Sequence, residues 1–134
     1  MAYYVDKDTY VGNTGKQLKH IKTNSDNIAM IGTMFEHTGT NVVVSGNNSN
    51  VICSLTLDPG TYIAVGTFKY EGSNLRYYLT LYSRSTSAYD NAGYVEGTIA
   101  DIFTLTSQRT IELRIWPSKD ATLVTTNIRA IRVK

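Results

Sequence analysis

Leu55-Thr-Leu-Asp-Pro-Gly-Thr-Tyr-Ile-Ala-Val-Gly-Thr-Phe-Lys-Tyr70 is two strand-like runs separated by an Asp-Pro-Gly turn, and its reading decides the fold. Proline presets φ for a turn and removes a backbone donor, so neither run continues through Pro59. In the second run Tyr62, Ala64, Gly66, Phe68 and Tyr70 share one face, and Ile63 and Val65 lie on the other, because successive strand side chains point in opposite directions. Both faces carry apolar groups, as in a sheet covered on both sides. One cover is expected to be a second sheet and the other a partner subunit.

The same pattern extends outward. Strands are predicted at 28–36, 41–45, 51–57, 61–70, 75–83, 94–105, 110–116 and 122–133, the sixth interrupted near Gly97, with turn signals at Ser45-Gly-Asn-Asn-Ser-Asn50, Glu71-Gly-Ser-Asn74 and Asp90-Asn-Ala-Gly93. In Thr110-Ile-Glu-Leu-Arg-Ile-Trp116 the residues Ile111, Leu113 and Ile115 face inward, while Glu112, Arg114 and Trp116 face solvent. About eight short strands predict an all-β sandwich.

Residues 1–27 read differently and are predicted to be a connector, leaving 28–134 as the head. Thr14 and Gln17 have capping-box spacing, Leu18 and Ile21 share one face, and Lys19 and Lys22 suit the negative end of a helix dipole. The short helix so predicted at 13–22 is unstable alone and must pack on the sandwich or on copies of itself. An initiator methionine running straight into this segment suggests a piece of a longer protein.

At 134 residues there is room for one domain with a real core. Thirteen Lys plus Arg against eleven Asp plus Glu leave +2, too little to steer the molecule toward nucleic acid. Cys53 is the sole cysteine; within Val51-Ile-Cys-Ser-Leu-Thr-Leu57 it reads as a buried core thiol of a protein made in a reducing compartment. No apolar run approaches the roughly 20 residues of a membrane helix, so a soluble chain without membrane insertion is expected.

Catalytic signals are poor. His20 and His37 are the imidazoles, His20 in the connector and His37 at a strand end. No Gly-x-Ser-x-Gly elbow is present. Asp90, Glu96 and Asp101 are neighbours in sequence with no sign of the convergence that glycoside cleavage requires. One cysteine and two distant histidines do not make a zinc site, so no catalytic residue, metal or cofactor is expected. Arg129, Arg132 and Lys134 read as the charged solvent edge of the last strand, which discourages edge-to-edge pairing.

Binding signals are richer. Ser83-Arg-Ser-Thr-Ser-Ala-Tyr-Asp-Asn-Ala-Gly-Tyr94 reads as a long polar loop carrying Arg84, Tyr89, Asp90, Asn91 and Tyr94, the aromatic, amide and charged groups that hold sugars. An ordinary strand connection with solvated tyrosines is the alternative. Trp116 is either a platform or interface anchor, or a residue packed beneath a neighbouring loop.

The order of motifs resembles a known group. Leu55-Thr-Leu-Asp-Pro-Gly-Thr-Tyr-Ile63, then Leu79-Thr-Leu81, Ile102-Phe-Thr-Leu105, Thr110-Ile-Glu-Leu-Arg-Ile115 and Ile128-Arg-Ala-Ile-Arg-Val133 resemble the jelly-roll heads of the tumour necrosis factor and complement-globular-head superfamily. More narrowly they are similar to head domains that end phage and prophage tail or baseplate proteins, with Tyr10-Val-Gly-Asn-Thr-Gly-Lys-Gln-Leu-Lys-His-Ile21 similar to their connectors. The resemblance implies a jelly-roll homotrimer at a virion tail tip, synthesised in the bacterial cytoplasm, joined to a stem or baseplate protein and binding a host-surface glycan or other receptor. It implies a threefold interface over Tyr62, Phe68 and Tyr70. A structural tail subunit, a wall-polysaccharide depolymerase and a free-standing bacterial carbohydrate-binding module remain as alternatives.

Overall fold

Eight strands follow one another: β1 (Met34–Val44), β2 (Asn50–Leu57), β3 (Gly60–Tyr70), β4 (Leu75–Leu81), β5 (Arg84–Asp90), β6 (Val95–Leu105), β7 (Arg109–Pro117) and β8 (Ala121–Arg132). The computed structural model describes residues 31–134, so the predicted connector at 1–27 and its helix lie outside the described residues. Among the described residues there is no helix. The strands form two four-stranded antiparallel sheets, β1-β8-β3-β6 and β2-β7-β4-β5, packed face to face as a sandwich.

The alternation in β6 shows why the sequence folds this way. Val95, Gly97, Ile99, Asp101, Phe103 and Leu105 face inward and are buried, while Glu96, Thr98, Ala100, Ile102 and Thr104 face out. Gly97 does not interrupt the strand. A Cβ there would run into Phe68 Cε1 and meet Tyr77 Oη at 2.8 Å, so the glycine makes room for an edge-to-face ring pair with centroids 4.9 Å apart. Ile111, Leu113 and Ile115 of β7 fill the opposing layer, as their alternation predicts.

Three expectations are corrected. From Met34 onward the strands predicted at 28–36 and 41–45 are the single strand β1, residues 28–30 lying outside the described residues: Asn41 takes up a positive φ of 51°, and pairing with β8 continues on both sides of it in one register. The long loop predicted at 83–94 contains β5, paired along its length with β4. It reads as a loop because an edge strand rich in Ser and Thr, exposed on both faces, has no apolar alternation and is held by backbone bonds. The terminal strand β8 is central, between β1 and β3, so Arg129 stands on an exposed face, 3.6 Å from Glu36, and not along an edge.

Buried polar groups tie the sheets together. Asp101 Oδ2 accepts from Ser83 N at 2.9 Å and Ser83 Oγ at 2.8 Å, pinning the two-residue β4–β5 turn to β6. That turn holds Tyr82 at φ 47°, an unfavourable conformation for an aromatic residue. Its ring stacks on Phe103 at 4.7 Å and its hydroxyl accepts from Arg109 Nη1 at 3.2 Å. Asp101→Ala removes both turn bonds and is expected to cost about 1.5–3 kcal/mol, read as a lower urea midpoint at unchanged slope.

Cys53 is buried, as expected, with Sγ 3.0 Å from Thr126 Oγ1, which donates to the Ile52 carbonyl at 3.0 Å. Burial pushes the Cys53 thiol and the Tyr62 and Tyr77 phenols above their ordinary values. A raised folded-state pKa contributes stability that is present below the unfolded value and lost as pH rises through the folded one. Stability should therefore fall as pH climbs past the ordinary thiol and phenol values of about 8.5 and 10. Melting temperatures taken from pH 7 to 11 will show this decline, and Tyr62→Phe should make it shallower.

The sandwich has two poles. Met34 pairs with Ile131, and the Thr61 N–H donates to the Lys134 carbonyl at 3.1 Å, so both ends of this unit meet at one pole. The loops 45–49, 71–74, 91–94 and 118–120 gather at the other, reached by β1, β3, β5 and β7.

Candidate functional site

Near the second pole the outer face of the β2-β7-β4-β5 sheet carries an aromatic platform. In Leu75-Arg-Tyr-Tyr-Leu-Thr-Leu81 the residues Leu75, Tyr77, Leu79 and Leu81 enter the core, which turns Arg76 and Tyr78 outward. Register then sets Tyr78 beside Trp116 of β7 and beside Ser87 of β5, and Arg76 beside Tyr89. Tyr78, Tyr89 and Trp116 are each more than half exposed. The Arg76 guanidinium lies over the Tyr89 ring, 4.9 Å from its centroid, a cation–π contact. Tyr89 donates through its hydroxyl to Asn74 Oδ1 at 3.3 Å, which fixes the ring.

Two shallow depressions flank the Arg76–Tyr78 ridge. One, of about 260 Å³, is lined by Arg76, Tyr77, Tyr78, Ser87, Ala88 and Tyr89. The other, of about 130 Å³, is lined by Asn47, Arg76, Tyr78, Trp116, Pro117 and Ser118.

The floor is rigid because the loops at this pole are stitched to one another. Asn47 N donates to the Pro117 carbonyl at 2.7 Å, Ser118 N to the Arg76 carbonyl at 2.8 Å, and Arg76 N to Ser118 Oγ at 3.1 Å. Gly46 N donates to Asp120 Oδ1 at 2.7 Å. A Cβ on Gly46 would sit 2.6 Å from the Lys119 backbone, so the 45–49 and 118–120 loops approach this closely only with glycine there. Asn47 and Asn74 supply the left-handed turn positions, at φ 59° and 58°. Asn50 Nδ2 donates to the carbonyls of Ser45 at 3.0 Å and Asn48 at 2.8 Å, closing the loop on itself.

Of the residues singled out from the sequence, Tyr89 and Trp116 stand on this platform. Asp90, Asn91 and Tyr94 lie beyond it at the same pole, where Asp90 Oδ1 accepts from Ala92 N at 2.8 Å and so closes the β5–β6 turn. Arg84 is apart: it begins β5, six residues or about 20 Å from Asp90, and lines a depression with Ile63, Ser83, Ala100, Asp101 and Ile102. Arg76 and Tyr78 were not anticipated, although the alternation in 75–81 already turns them outward together. Asp90, Glu96 and Asp101 do not share a cleft: Glu96 and Asp101 face opposite sides of β6, and the Asp101 carboxylate is taken up by Ser83.

Tyr62 and Phe68 are 1% and 0% exposed within their own chain, between the two sheets. They have no surface to give a threefold interface, and Tyr70 is mostly packed against the same core beneath Lys119. The second apolar face of β3 is the outer one. There one register row crosses the whole sheet through Met34, Ile131, Ile63 and Ile102, followed by Glu36, Arg129, Val65 and Ala100 and then Thr38, Asn127, Thr67 and Thr98. Ile63 and Ile102 remain 43% and 67% exposed, and a depression of about 290 Å³ lies among Met34, Ile63, Val65, Arg129 and Ile131.

Residues 34–134 thus form a β-sandwich with a C1q-like jelly-roll fold. It is similar to the globular domain of zebrafish complement 1qA, with TM-score 0.53 and 16% identity over 75% of this chain and 97% of that one. It is also similar to FLHE, with TM-score 0.46 and 15% identity over 75% of this chain and 96% of that one. The first likeness shows the fold alone. No family model and no curated protein matches the sequence.

Proposed function

We propose that this domain is a non-enzymatic receptor-binding head that recognises a surface saccharide on the Trp116–Tyr78–Tyr89 platform and associates as a homotrimer. The observation that carries the reading is the cluster of three exposed aromatic side chains on a floor of stitched loops. Exposed rings on a twisted sheet offer flat apolar surfaces for the C–H faces of sugar rings, and their own polar tips and Ser87 offer hydrogen bonds. Little ordering is needed on binding, because the floor is already held. The homotrimer is assigned to the outer face of β1-β8-β3-β6, whose apolar row a second copy would cover. Placement at a phage or prophage tail tip, on a stem or baseplate protein, rests on the order of motifs in the sequence.

Glycan-array screening followed by calorimetry tests the site. Trp116→Ala and Tyr78→Ala are each expected to weaken binding at least about tenfold, as central aromatic anchors do. Arg84→Ala, at the far end of β5, should leave affinity unchanged. Full binding by both platform variants would remove the site. No saccharide binding, with retained binding to virion proteins, would move the reading to a structural tail subunit.

A further inference from the structure

We infer that the ligand of this platform is an anionic saccharide, one carrying a carboxylate, phosphate or sulfate that docks on Arg76; this rests on the saccharide reading above. Arg76 borders both depressions, so a group bound in either lies against it. Its guanidinium is braced from one side by the Tyr89 ring and forms no ion pair among the described residues, whereas Arg114, on the same face, is closed by Glu112 at 2.7 Å and by Ser49 at 3.0 Å.

The acids of this pole keep their charge, but none of them forms an ion pair with Arg76. Asp90 and Asp120 each accept a backbone N–H, from Ala92 and Gly46, and Glu71 in the β3–β4 turn pairs with neither Arg76 nor Lys119. Lys119, which donates to the Ser73 carbonyl at 2.7 Å and lies over the Tyr70 ring, adds a second cation with no carboxylate partner among the described residues. Arg76 is thus the one charged side chain lining either depression, and no acid lines them. A stacked guanidinium keeps its donor edges free, and its planar fork matches a carboxylate or phosphate in a way a lysine does not. A neutral sugar could use the aromatic faces and accept from this fork through a hydroxyl, but only an oxyanion meets both prongs with opposite charge.

The test compares neutral and acidic saccharides on one array, with the full chain and three variants. Bound glycans are expected to be acidic, and binding to weaken at least tenfold between 0.05 and about 0.5 M salt. Arg76→Gln should abolish binding, Arg76→Lys should leave a partial, salt-sensitive remainder, and Trp116→Ala should weaken binding to acidic glycans. Carboxyl-reduced forms of any bound uronic acid should not bind. Binding of neutral glycans that Arg76→Gln leaves intact would overturn this inference while sparing the saccharide site. Absence of binding to any glycan would overturn both. Arg76 is exposed and its backbone bonds do not depend on its side chain, so an unchanged melting temperature will certify that the variants are folded.

Discussion

Phe68→Ala is expected to cost about 3–5 kcal/mol and to bring the domain close to unfolding, because removing a buried phenylalanine loses its transfer energy and leaves a cavity. Native domains are stable by only about 5–15 kcal/mol, so the loss consumes a large share. The site cannot collapse easily. Phe68 lies between the sheets with Tyr77 edge-on at 4.9 Å and the strand-forming Gly97 directly beneath it. Urea unfolding followed by tryptophan fluorescence would show a much lower midpoint. The same substitution distinguishes the two placements of this ring. If Phe68 were an interface residue, the variant would dissociate but its monomer would keep its stability; a stable monomer would therefore contradict the packing described here.

The second large effect concerns assembly. Ile63→Asp together with Ile102→Asp is expected to turn a species of about 45 kDa, three times the 14.9 kDa chain, into monomers by light scattering. The two side chains are register neighbours on adjacent strands, and both point outward. Carboxylates placed there cost a monomer little, about 0.5 kcal/mol for each surface change and up to about 1 kcal/mol for the like-charge pair. Buried against a second copy they would be unpaired charges, which cost several kcal/mol each. Retained trimers would place the interface elsewhere, and a wild-type monomer would end the homotrimer proposal.

Much of this was legible from side-chain alternation. The run from Gly60 to Tyr70 announced a strand with two apolar faces, and the structure contains it as β3. Alternation reports that two faces differ, but not which of them meets the other sheet; that depends on register with β6 and β8. The larger rings of Tyr62 and Phe68 therefore suggested an interface, although their size suits the core, and the modest pair Ile63 and Val65 is what solvent sees. β5 was illegible because Ser85-Thr-Ser87 owes its place to backbone pairing with β4. Trp116 and Tyr89 were visible singly, whereas the platform came into view only when β4 inserted Tyr78 and Arg76 between their strands.

Both ends of the described unit leave at one pole, and the platform lies toward the other. Any scaffold that grips this unit close to Met34 or Lys134, such as a biotinylated C-terminal tag on a sensor chip, turns every platform toward the same side. Copies held this way can engage a repetitive surface together, and linked sites of this kind can exceed their single-site affinity by about 10²–10⁴. A millimolar site would then suffice for firm attachment, and monovalent titrations would understate what the arrayed molecule does.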